Sequence, residues 1–290
     1  MAMASTGKKW FIGCGIGCGL MALILGGAGT CAYFGVKQLK EKADSLDGSF
    51  EEVKTRFGDP TEFTPSPDGT ISAERMETFL TIRDDMAPVR GKVSDMLSTL
   101  DGSGNFIAKA KAGMQLVPSL LTYVGDRNQV LVARGMGVGE YQYIYALSYF
   151  VLLGKDPGDG PGFALADDNE GDHEGNVRVN WGHSGDKAAV REGRARKVRA
   201  FVHDLQIKVL DNQVAAYQAA LPAGTDPASA AWGAGLLAEQ QVMQNESLRF
   251  PWEEGLPAPL RDSLEPYRDR LDATYDPLTS VIEMGLTDED

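Results

Sequence analysis

Few residues in this chain combine reactive chemistry with a suggestive spacing, and most of those lie in one acidic stretch. Glu170, Asp172, Glu174, Gly175 and Val177 follow the 1-3-5-6-8 spacing of a calcium loop. Alternate residues there can turn oxygens toward one ion, and glycine permits the sharp bend. The pattern then fails, because Trp181 stands where a bidentate glutamate belongs and the first position is Glu rather than Asp. Glu170, Asp172, His173 and Glu174 are the residues that would hold a divalent ion. The incomplete set favours a solvated acidic loop, with Val177-Arg178-Val179 as a short extended piece. His183 and His203 complete the histidines, and no His-Glu-x-x-His run joins any of them into a zinc motif.

Glu140 is the second candidate, a carboxylate at the start of the most apolar helix of the soluble part. A helix N-terminus favours negative charge, which accounts for it in part. If buried, it needs a cation, and Arg75, Arg83 and Arg134 are the candidates; a structural ion pair is a better reading than a catalytic acid. Gly135-Met136-Gly137-Val138-Gly139 precedes it but lacks the Gly-Lys-Ser/Thr of a phosphate loop and the dinucleotide fingerprint, so it reads as a helix connector. Neither Gly-x-Ser-x-Gly nor a Cys-His combination offers a nucleophile. No cofactor is expected.

These residues are carried by a chain organised around its N-terminal apolar run. Trp10 to Phe34 contains no charge and follows Lys8 and Lys9. As a helix it reaches roughly 37 Å, enough to cross a bilayer core of about 30 Å. It is longer than the apolar region of a cleaved signal and is followed by no clean A-x-A site. The expected layout is a short tail (1–9), a transmembrane anchor (10–35), a juxtamembrane helix (36–58), a soluble domain (59–281) and an acidic tail (282–290). Lysines flank the run on both sides, so the count leaves orientation open. The short tail before a basic pair is the layout of a signal anchor, with the soluble domain exported. Gly13 and Gly17, then Gly15 and Gly19, put small residues on one stripe where a second backbone can approach. Cys14, Cys18 and Cys31 all lie in the run; the first two have no His or carboxylate partners and read as packing residues.

The net charge is -13, which repels nucleic acid at long range. Beyond the anchor the pattern is helical. Val36, Leu39, Ala43, Leu46, Phe50, Val53 and Phe57 alternate by three and four, a narrow seam expected to pack against its own domain. Phe57-Gly58-Asp59-Pro60 ends it. Ser72 reads as the N-cap of the next helix, which Pro88 should kink or split. A third helix covers 105–117, and Pro118 opens a fourth. Glu140 to Leu153 is apolar on every face, the mark of central burial. The loop at 155–186 follows, then a long helix over 187–221 whose Arg191, Arg194, Arg196, Lys197 and Arg199 pair with that loop. Further helices run from about Pro227 to Leu248 and across Leu260 to Tyr275. The expected fold is all-α, a transmembrane helix followed by a helical-bundle-like soluble domain.

Lys8-Lys9-Trp10 entering a Gly-Cys-Gly-rich span, Pro67-Asp68-Gly69, Gly137-Val138-Gly139-Glu140-Tyr141, Leu264-Glu265-Pro266-Tyr267 and Tyr275-Asp276-Pro277-Leu278 resemble phrases in a group of uncharacterised bacterial single-pass membrane proteins. The resemblance implies a bacterial origin and a single-pass layout, and it carries over no activity or catalytic residue. The sequence thus leads to an inner-membrane protein whose domain faces the periplasm or another extracytoplasmic space. Its expected role is interaction or assembly with an envelope partner or with itself. The alternative is an exported metal-assisted hydrolase using carboxylates near Glu140 or in the acidic loop.

Overall fold

The computed structural model describes residues 46–101, 106–160, 162–165, 177–180, 187–220 and 227–284. The expected anchor, its stripe of Gly13, Gly15, Gly17 and Gly19, and the acidic positions Glu170, Asp172, His173 and Glu174 lie outside them. Among the described residues no helix is long and apolar enough to cross a membrane.

The described part of the first helix, α1, covers 46–57. Leu46, Ser49 and Val53 are buried, so this half of the seam lies on the domain. Gly58 ends the helix in the left-handed region, at φ 80°, where a side chain is disfavoured. Asp59 then caps a 3-10 turn over Pro60–Glu62, accepting from the Thr61 N–H at 3.0 Å while Glu62 reaches back to the Asp59 N–H at 3.0 Å.

Two long helices follow, α2 (Ala73–Asp101) and α3 (Phe106–Arg134), which pack along each other. Ser72 caps α2 as expected, its hydroxyl accepting from the Arg75 N–H at 3.3 Å. Pro88 does not split α2, and Pro118 lies inside α3 instead of opening a new helix. Pro88 and Asp84 are both exposed, so the carbonyl that loses its partner faces water. Met86, Val93 and Leu97 meanwhile hold the helix down from the other side. Burial on both flanks outweighs the roughly 3 kcal/mol cost of an internal proline.

Gly135 breaks the chain at φ 70°, and α4 (Val138–Tyr145) enters the interior. It continues as a π-helical segment over Ala146–Leu152, where the Leu153 N–H reaches the Ser148 carbonyl at 3.0 Å. Tyr141 through Phe150 are buried without interruption, as the uniform apolarity of this stretch indicates. The change to π register has no signature in that apolarity.

Of the later elements, those over 187–220, 258–264 and 268–274 pack on this helix. Gly162–Leu165 (β1) and Val177–Asn180 (β2) form an antiparallel ribbon, with Phe163 opposite Val179. Among the described residues the fold is therefore all-α apart from this two-stranded ribbon; the extended piece at 177–179 was expected, but its partner strand was not. The helix α5 (Lys187–Ala220) is unbroken and packs on α6 (Pro227–Asn245). The helix expected over 260–275 is instead three pieces, α7 (Ala258–Leu264), a 3-10 turn (Glu265–Tyr267) and α8 (Arg268–Thr274). Pro266 lies in the turn between them. A last short helix, α9 (Ser280–Glu283), follows. Ile282, Glu283 and Met284 are buried, which corrects the expectation that the domain ends at 281 and that 282 onward is tail.

Candidate functional site

The interior of the domain contains a polar centre, and its members come from elements far apart in the chain. From α2 come Arg83 and Arg90, from α3 Tyr123, Arg127 and Asn128, from α4 and its π extension Tyr141, Gln142, Tyr145 and Tyr149, and from α9 Glu283. All are buried. Arg83 and Glu283, both at 0% exposure, form an ion pair. The second carboxylate oxygen of Glu283 stands 3.7 Å from Arg90 Nη1 and accepts from the Thr279 hydroxyl at 3.2 Å. Its backbone carbonyl accepts from Arg127 Nη1 at 3.0 Å. Beside it, Gln142 Nε2 donates to the Met284 carbonyl at 2.9 Å. The C-terminal segment is thus held through its side chain and two main-chain carbonyls by three other helices.

The tyrosines form the wall of this centre. The Arg83 guanidinium lies over the rings of Tyr145 and Tyr149, 5.4 Å and 5.2 Å from their centroids, and donates to the Tyr141 hydroxyl at 3.1 Å. Such contacts with aromatic faces stabilise a desolvated cation. Tyr145 and Tyr149 have ring centroids 4.5 Å apart, and the Tyr149 hydroxyl bonds Thr274 at 2.8 Å. Burial pushes Tyr123, Tyr145 and Tyr149 above the ordinary phenol range, and neighbouring arginines pull the other way without prevailing. They are neutral at physiological pH; the Tyr145 hydroxyl, unlike that of Tyr149, is buried without a hydrogen-bond partner among the described residues.

The arginines respond unequally. Burial drives all three guanidiniums down. Arg83 is nevertheless held above the usual value by its tyrosine surroundings, and the Glu283 carboxylate adjoins it. Arg90 is lowered by burial and then by the like charge of Arg83, and Arg127 is lowered by burial. A hydrogen-bonded chain extends outward from the Arg127 guanidinium: Arg127 Nη2 to Asn128 Oδ1 at 3.4 Å, Asn128 Nδ2 to the Ser49 hydroxyl at 3.2 Å, and that hydroxyl to the Leu46 carbonyl at 2.7 Å. Helix α1 is therefore wired to the same centre as the C-terminal segment.

Of the arginines proposed for Glu140, the structure selects Arg75. Its Nε and Nη2 grip the two carboxylate oxygens at 2.6 and 2.5 Å, and Nη2 also donates to the Gly135 carbonyl at 3.1 Å. This bidentate grip raises the Arg75 guanidinium above its usual value through the Glu140 hydrogen bond, against a smaller opposing effect of burial. Arg83 turns inward to Glu283 instead, and Arg134 pairs with Asp85 at 2.7 Å on the surface. Glu140 acts as a tie between α2 and α4.

The basic half of α5 behaves partly as expected. Arg191 reaches Asp156 at 2.7 Å and Asp159 at 2.8 Å, and Arg194 donates to the Gly158 carbonyl at 3.0 Å. Arg199 goes elsewhere, to Glu253 at 2.6 Å, with its guanidinium 4.4 Å from the Phe250 centroid. Among the described residues no group of three His, Cys, Asp or Glu side chains could hold a metal ion. Among the described residues Leu237 is the exposed large apolar side chain, at 43%.

The sequence reading missed Arg90, Arg127 and Glu283. One signal was available: charged residues occupy interior positions of α2 and α3, with Arg90 between Met86 and Val93 on the buried face. What fold and site define is a helical domain closed around an arginine–tyrosine–glutamate centre. No protein-family model, no curated protein and no solved structure matches the chain.

Proposed function

We propose that the protein is a membrane-tethered helical module that assembles with an envelope partner or with a second copy of itself. The observation that carries this reading is the fastening of α1 to the domain. Leu46 and Val53 are buried, and Ser49 bonds Asn128 at 3.2 Å. Residues 46–57 are thus no free stalk. A domain so attached keeps a defined height and orientation above the membrane, as a receptor or assembly subunit requires.

The polar centre supports a structural task over a catalytic one. Arg83 and Glu283 are closed off from solvent, and Glu140 is held bidentately by Arg75. Large apolar side chains are nearly all internal in the described surface, so the contact is assigned to the anchor, where Gly13, Gly15, Gly17 and Gly19 allow close helix approach.

The test is capture of the full-length protein from membranes in mild detergent, beside a Gly13→Leu/Gly17→Leu variant. A discrete partner or homo-oligomer present in the wild type and lost in the variant supports the reading. A monomer without partner in both samples refutes it.

A further inference from the structure

Charge bookkeeping at the polar centre does not balance. Three guanidiniums, Arg83, Arg90 and Arg127, are 0, 7 and 4% exposed, and among the described residues Glu283 is the one carboxylate buried with them. The other buried acid among the described residues, Glu239, serves a separate place, accepting from the Trp252 N–H at 2.7 Å beside Arg249 at 3.5 Å. The tyrosines are neutral and supply no countercharge. Donors remain unused as well: Arg90 Nη1, Arg127 Nε and Arg83 Nε are buried without a hydrogen-bond partner. Buried donors without partners and buried charges without counterions are both costly, and one species relieves both.

We infer that the centre binds a small inorganic anion, of the chloride or phosphate class, against Arg90 and Arg127 beside Glu283. Guanidinium N–H groups suit such a guest because they are fixed, charge-assisted donors that stay protonated. Arg90 contacts the Glu283 carboxylate at 3.7 Å and Arg127 the Glu283 carbonyl at 3.0 Å, so both lie around one residue. The inference concerns the interior alone and stands whether or not the tethering reading holds.

The experiment is thermal unfolding of the full-length protein in detergent, with sodium chloride or sodium phosphate replacing sodium gluconate at constant ionic strength. Binding to the native state alone raises Tm with the logarithm of anion concentration, by roughly 5–10 °C at a hundredfold excess over Kd. Arg90→Gln removes the dependence and melts no lower than the wild type in gluconate, because it deletes an uncompensated charge. A wild-type Tm that does not respond to either anion overturns the inference. So does an equal response in Arg90→Gln, which is screening. A third arm neutralises Asp288, Glu289 and Asp290 to their amides: anion dependence appearing only there assigns the countercharge to the chain itself and also overturns it.

Discussion

Arg83 and Glu283, from opposite ends of the described chain, meet in an ion pair from which solvent is excluded. Removing one partner strands the other in the interior. Glu283→Ala is expected to destabilise the protein by about 3–5 kcal/mol, measured by denaturant unfolding of the full-length protein in detergent. The same change at Glu140, whose partner Arg75 is partly exposed, is expected to cost no more than about 1 kcal/mol. Equal losses would show that burial does not distinguish the two pairs.

The tyrosines give the stability a pH limit on the alkaline side. Burial raises the phenols of Tyr123, Tyr143, Tyr145, Tyr149 and Tyr275 in the folded state. The folded state therefore holds these protons more tightly than the unfolded one. Their contribution is complete below the unfolded value of about 10 and is lost as pH rises through the folded values. Stability is expected to fall with increasing slope above about pH 10, with tyrosinate absorbance appearing together with unfolding. Tyrosinate absorbance amounting to all nine tyrosines at pH 10 in the still-folded protein would contradict the burial of these five.

Two helix glycines are expected to behave in opposite ways. A Cβ on Gly139 would lie 2.2 Å from the Pro60 carbonyl oxygen and 2.9 Å from the Phe63 Cβ, so Gly139→Ala must push α4 from the 3-10 turn. A loss of about 1–3 kcal/mol is expected. Gly91, exposed in α2 with nothing near its added Cβ, should gain roughly 0.5–1 kcal/mol as alanine. Melting of the two variants checks both signs.

The fastening of α1 has a local readout. Ser49→Ala removes the bond to Asn128 and leaves its amide short of a partner, at a cost of about 1–3 kcal/mol. Faster hydrogen exchange confined to 46–57 is expected, since segments open separately from the core. Unchanged protection there would mean that apolar contacts alone hold the helix.

Much of this arrangement was legible in residue patterns. Periodicity located the seam of Leu46 and Val53, the burial of Tyr141 to Phe150 and the long helix from Lys187, because burial writes a repeat into the sequence. Glu140 with Arg75 was among three possible pairs; geometry alone could choose. Pro88 and Pro118 misled, since a local breaker yields when both flanks are buried. Glu283 was hidden by its setting: beside Thr287, Asp288, Glu289 and Asp290, one more acid reads as surface. Long-range polar pairing has no period, so the centre emerges only when α2, α3, α4 and α9 are brought together.

The claim that the centre clasps the C-terminal segment is tested most directly by a double-mutant cycle on Arg83→Met and Glu283→Met. Each single variant strands a charge, whereas the double variant strands neither member of this pair. The result expected is a double variant more stable than either single one, with a coupling of about 2 kcal/mol or more. Strictly additive losses would contradict the clasp and leave Glu283 without a role in the core.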